Sequence, residues 1–100
     1  MLGSRSNEAR LRGKHVVIKC AKSATNSIGV IFNMLRRLDS VIAAFQIEDD
    51  CFELWSLAIP VFRSEMRVTR SKGNSAGKVG QVRRSVFVNR GKLLGRVQTT

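Results

Sequence analysis

An α/β sandwich with elements in the order β-α-β-α-β is the fold class that this sequence predicts, on three observations. Two short apolar runs alternate with period two, two stretches repeat their apolar residues at spacings of three and four, and a third alternating run precedes a basic, glycine-rich region. With 43% apolar and 25% charged residues, the 100-residue chain is globular in type and the length of one domain.

Residues 15–20, HVVIKC, set Val16, Ile18 and Cys20 against Val17 and Lys19 and are rich in β-branched residues, as in a strand with one buried face. After a polar stretch with Asn26 and Ser27 as cap formers, Ile28, Ile31, Phe32, Leu35 and Leu38 mark one face of a three-turn helix. Asp39 and Ser40 interrupt it. Val41, Ala43, Phe45 and Ile47 then alternate with Ile42, Ala44 and Gln46, giving a second strand. Asp50 and Glu53 have the spacing of a capping box, and their charge suits a helix N-terminus. Leu54, Leu57, Ala58 and Val61 continue the apolar helical face, which Pro60 should kink or end near Ala58. Residues 66–69 alternate again, with Met66 and Val68 expected inward and Arg67 and Thr69 outward. Right-handed crossovers through two such helices place both on one face of an open sheet and leave the other face free.

Three segments follow: a basic N-terminal arm (1–13), the core (14–70) and a basic C-terminal extension (71–100). In the extension, Gly73, Gly77 and Gly80 among Ser, Asn and Lys read as a loop or linker. The run SVFVN, the turn candidate Asn89-Arg90-Gly91 and KLLGRV fit a basic hairpin. A core of about 60 residues is near the size at which folding alone is marginal, so a bound partner is expected to add stability.

Charge is sorted by position. Residues 1–22 carry six Lys/Arg against one Glu, residues 23–62 two against five, and residues 63–100 ten against one, for a net charge of +11. A basic surface of this density is the electrostatic footprint of a polyanion binder, because each cation that neutralises a phosphate releases condensed counterions. The main basic set is Arg63, Arg67, Arg70, Lys72, Lys78, Arg83, Arg84, Arg90, Lys92 and Arg96, interleaved with Gly, Ser and Asn as suits contact with a phosphate backbone. Lys19, Lys22 and Ser23 at the end of the first strand, and Arg36 and Arg37 at the end of the first helix, complete the candidates. A helix dipole favours Arg36 and Arg37 whatever their partner.

Other chemistry finds little support. Cys20 and Cys51 lack paired spacing and His15 is the single histidine, which predicts buried free thiols rather than a disulfide or zinc site. Glu48, Asp49, Asp50 and Glu53 have no accompanying base or pocket and read as a helix cap rather than a catalytic or metal cluster. No catalytic residue, metal, cofactor or small-molecule substrate is therefore expected. Arg36 and Arg37, then residues 48–50, interrupt the apolar runs before either reaches 18 residues, so no membrane span is expected. The opening MLGSRSNEARLR fits an organellar transit segment and a plain RNA-contacting tail equally. Phe32 and Phe45 fit the core; Trp55 lies off the helical stripe, and Phe87 fits base stacking or a hairpin anchor.

The stretches HVVIKCAKSAT, FNMLRRL, FQIEDD and SEMRV resemble the small universal large-subunit ribosomal protein of the L-thirty family. The landmarks are Lys22-Ser23, residues 34–38, Glu48-Asp49, residues 54–59 and residues 66–68, so the resemblance covers roughly residues 14–69. It implies a ferredoxin-like fold, no catalysis, and a place on large-subunit ribosomal RNA beside neighbouring ribosomal proteins. Divergence with basic extensions is similar to mitochondrial versions of the family, although a cytoplasmic ribosome stays open. AIPVFR followed by a basic loop also resembles the small-subunit S-ten family, and the basic α/β order resembles Alba-type nucleic-acid binders. The leading expectation is a structural component of the large ribosomal subunit that positions RNA through its phosphates.

Overall fold

The computed structural model describes residues 7–22, 26–70 and 78–98. Their elements are β1 (Asn7–Leu11), β2 (Lys14–Ala21), β3 (Ser27–Ile31), α1 (Phe32–Leu35), β4 (Ser40–Glu48), β5 (Cys51–Ala58), α2 (Ile59–Glu65), β6 (Arg67–Arg70), β7 (Lys78–Arg83), α3 (Arg84–Arg90) and β8 (Lys92–Gln98). The class is mixed α/β with strands in the majority. Five strands form one sheet in the order β1-β2-β4-β5-β8, and three form a second in the order β3-β7-β6. β2 and β4 are parallel, with Val17 opposite Val41, and β3 and α1 lie in the connection between them; the other pairings are antiparallel.

Both sheets and all three helices share one core. Val17 and Ala21 of β2, Val41, Ala43 and Phe45 of β4, and Leu57 of β5 enter it from the large sheet; Ile28, Val30 and Val82 enter from the small one. Leu35, Ile59, Phe62 and Phe87 close it from the helices and their starts. Phe87 meets Phe45 and Phe62 edge to face, with centroids 5.6 and 6.4 Å away, a geometry that aligns ring edge with ring face. Val16, Ile42 and Ala44 are also buried, but by alternation they lie on the opposite face of the large sheet, outside this cluster.

Several elements differ from the β-α-β-α-β expectation. The three-turn helix of residues 28–38 is strand β3 followed by a single turn of helix, because Ile28 and Val30 alternate into the core and pair with Val82 and Gly80 of β7. Gly29 and three β-branched neighbours also favour extended backbone. The expected helix beginning at Asp50 is strand β5, and Asp49-Asp50 form the turn that joins it to β4. Pro60 does not end a helix; it occupies the first turn of α2, where a missing N–H costs no hydrogen bond. Val68, expected inward, is 53% exposed on the edge strand β6.

Among the described residues neither terminal segment is an appendage. Residues 7–11 pair with β2 through a two-residue turn at Arg12-Gly13, whose φ angles of 52° and 81° match the primed turns that suit the twist of a hairpin. Residues 78–98 build the middle of the small sheet, a core helix and an edge of the large sheet. The SVFVN segment expected in a hairpin lies in α3, and KLLGRV pairs with β5 instead. Gly91 lets the chain pass from α3 to β8: a Cβ there would fall against the carbonyl oxygens of Phe87 and Ser56. Of the linker expected at residues 71–80, residues 71–77 lie outside the described residues, and residues 78–80 instead belong to β7, where Gly80 is buried because it packs against Met66. No described helix is long and apolar enough to cross a membrane.

Candidate nucleic-acid interface

The expected basic residues divide by what they face. Arg37 is held by Glu8 at 2.9 Å, Arg96 by Glu53 at 3.1 Å, and Arg90 by Glu65. Arg84 is half-buried, with its guanidinium 5.0 Å from the centre of the Phe45 ring. Lys19 is half-buried on the core side of β2, and desolvation lowers its pKa. These five carry positive charge that is already engaged or partly desolvated.

Lys22, Arg36, Arg63, Arg67, Lys78, Arg83 and Lys92 are exposed and make no ion pair among the described residues. Arg36 lies in the turn after α1, whose four residues give its dipole little length. Arg70 ends β6; Ser23 and Lys72 lie outside the described residues.

Three expected sites converge on one surface. Alternation turns Ile28, Val30, Gly80 and Val82 inward and therefore sets Ser27, Gln81, Arg83, Arg67 and Thr69 on the outer face of the small sheet. Register puts Arg67 beside Gln81 and Arg83 beside Ser27. At the Arg83 end the face opens into a cavity of about 400 Å³, lined by Asn26, Arg83, Arg84, Ser85, Val88 and Asn89. The Arg84 amide donates to the Asn26 carbonyl at 2.7 Å, fixing β3 and the start of α3 on either side of the cavity. Neither the outer face nor the cavity lining includes a carboxylate. Guanidinium forks, amides and hydroxyls are the groups that contact phosphate oxygens and base edges.

Arg12 and Lys14 escaped the sequence reading. They join Lys92 around a cavity of about 630 Å³ at one end of the large sheet, with Ser40 and Ser56 also in its lining. The signal was the Arg-Gly pair followed by an alternating run, which marks a hairpin and so brings residues before and after it together.

His15 and Glu53 are engaged within the fold. His15 faces the Arg37 carbonyl through Nδ1 at 3.0 Å and Glu8 through Nε2 at 2.8 Å, while its backbone amide donates to Asp39 Oδ2. Glu53 accepts from Arg96 and from Trp55 Nε1 on the same strand, rather than capping a helix. Among the described residues no three His, Cys, Asp or Glu gather closely enough to hold a metal. Cys20 is exposed and Cys51 half-buried, which corrects the buried-thiol expectation; both are free. Phe87 belongs to the core and not to a stacking surface. No family model matches this chain, and comparison with the curated proteins and the solved structures found no match.

Proposed function

We propose that this chain is a non-catalytic nucleic-acid-binding protein that holds folded RNA through the outer face of its three-stranded sheet. The observation that carries this reading is the carboxylate-free surface where Arg67, Gln81 and Arg83 continue into the Asn26, Arg84, Ser85 and Asn89 cavity. Such a surface supplies phosphate contacts of the positioning kind, without the paired aromatics that sequence-specific single-strand readers use.

The resemblance to the L-thirty family gives the reading its setting: a component of the large ribosomal subunit, in a mitochondrion or the cytoplasm, among neighbouring ribosomal proteins. This setting rests on the strand and turn segments of the resemblance. Its second helical landmark, residues 54–59, falls mainly in β5, and the ferredoxin-like order it implies is not needed for the interface. The small-subunit and free-standing Alba-like settings would use the same surface.

Fluorescence anisotropy with a structured ribosomal RNA fragment tests the interface. Arg67→Ala combined with Arg83→Ala should weaken binding about tenfold or more and flatten the log-affinity against log-salt slope by about two. Unchanged affinity and slope in a variant that remains folded would sink it. Sedimentation with the large subunit through a high-salt wash supports the ribosomal setting; a free species favours the Alba-like one.

A further inference from the structure

The large sheet has a second face, turned away from the shared core, along whose middle Val16, Ile42 and Ala44 are buried while Cys20 stays exposed. Ile18 and Cys20 of β2, Ile42 and Ala44 of β4, and Phe52 and Leu54 of β5 alternate onto it, opposite the core side. Part of it is hollowed into a cavity of about 300 Å³ lined by apolar groups from β2, β4, β5 and β8. At its flanks Leu11 and Val97 are 47% and 46% exposed.

The two ends of this face carry opposite charge. Arg12, Lys14 and Lys92 surround the cavity at the end where β4 begins. The other end is the β4–β5 turn with exposed Glu48 and Asp49; among the described residues the nearest cations are Lys22, which follows β2, and Arg96, which Glu53 holds. A nucleic acid would need cations along the whole face. A membrane surface or a single fatty acid would leave the acidic end opposed by nothing.

A second copy satisfies every part of it. Rotation by half a turn about an axis lying across the strands at the level of Ala44 sets the apolar centre against itself. The same rotation brings the Arg12, Lys14 and Lys92 end of each copy over the Glu48 and Asp49 end of the other. That is an isologous, self-complementary contact, and sheets stack about 10 Å apart in this way. Because Cys20 pairs with Ala44, the axis passes at its level and faces Cys20 of one copy toward Cys20 of the other.

We propose that this chain is a homodimer joined through the face of its five-stranded sheet that is turned away from the core. The dimer goes beyond the RNA reading and stands without it, since the two surfaces lie on different sheets.

Equilibrium sedimentation of the full chain across the micromolar range tests it. The expected mass is twice 11.1 kDa. Lys14→Glu with Lys92→Glu should raise the dissociation constant about tenfold or more, and adding Glu48→Lys with Asp49→Lys should restore it, which loss of folding would not do. A short bis-maleimide should join Cys51→Ser chains but not Cys20→Ser chains. The Arg67→Ala, Arg83→Ala variant should still dimerise, so failure of RNA binding and failure of dimerisation read out separately. A chain monomeric at every concentration overturns the proposal, and uptake of a fluorescent fatty acid or anionic vesicles by that monomer would assign the face to an amphiphile. Charge reversal without effect, or cross-linking that needs Cys51 instead of Cys20, also overturns it.

Discussion

Lys19 shows at the scale of one residue why a basic sequence is not the same as a basic surface. It projects from the core side of β2, half-buried, and desolvation lowers its pKa below the ordinary lysine value. The folded chain therefore gives up this proton before the unfolded chain does. Between the folded and unfolded pKa values the unfolded state binds more protons, so stability attributable to Lys19 rises with pH across that window; below both it stays at its lower, charged level. Lys19→Met should raise the unfolding temperature at neutral pH, and the gain should shrink as pH climbs toward the ordinary lysine value. Parallel thermal unfolding curves across that range check it; a lower melting temperature at neutral pH would show that the ammonium has a stabilising partner. The partners of three arginines were likewise invisible to sequence reading. Arg37, Arg90 and Arg96 find carboxylates 29, 25 and 43 residues away, and no local pattern announces a pairing of that range.

At the scale of elements, β2 and β4 were legible because their alternating runs are long and β-branched, whereas β3 and β5 were read as helices. Ile28, Ile31, Phe32 and Leu35 satisfy a helical spacing, but Ile28 and Val30 equally satisfy a strand, and pairing with β7 some fifty residues away decides between them. β5 did carry a local signal. Trp55, out of place on a helical stripe, falls into line with Leu57 once the segment is extended, and both meet the core. Pro60 separates the two descriptions experimentally. Inside a helix its replacement by Ala would stabilise the protein by about 3 kcal/mol. In the first turn of α2 the proline lacks no needed donor and restricts the unfolded chain, so Pro60→Ala should cost about 0.5–1 kcal/mol. Denaturant unfolding measures the sign.

For the whole molecule, the division into a folded core and a basic extension fails on the pairing of distant strands, which periodicity does not encode. The change of composition after Arg70 marked a real discontinuity of charge, with ten cations against one acid from residue 63 onward. It was not a discontinuity of folding. Val82 and Phe87 are fully buried, β7 is the middle strand of the small sheet, and β8 hydrogen-bonds along β5. Removing residues 71–100 would strip both neighbours of β7 of their partner and open the aromatic cluster of Phe45, Phe62 and Phe87 to water. Truncating a fully buried Phe alone costs about 3–5 kcal/mol, a large share of the 5–15 kcal/mol that holds a typical domain. The chain ending at Arg70 should therefore lose its cooperative thermal transition and its protected amides together with RNA binding, by circular dichroism and hydrogen exchange. A truncated chain that kept a cooperative transition and lost only affinity for RNA would restore the description of a core with an arm. The distinction governs how any deletion is read: point changes at Arg67 and Arg83 leave the aromatic core in place, so they separate contact with RNA from the integrity of the surface that makes it.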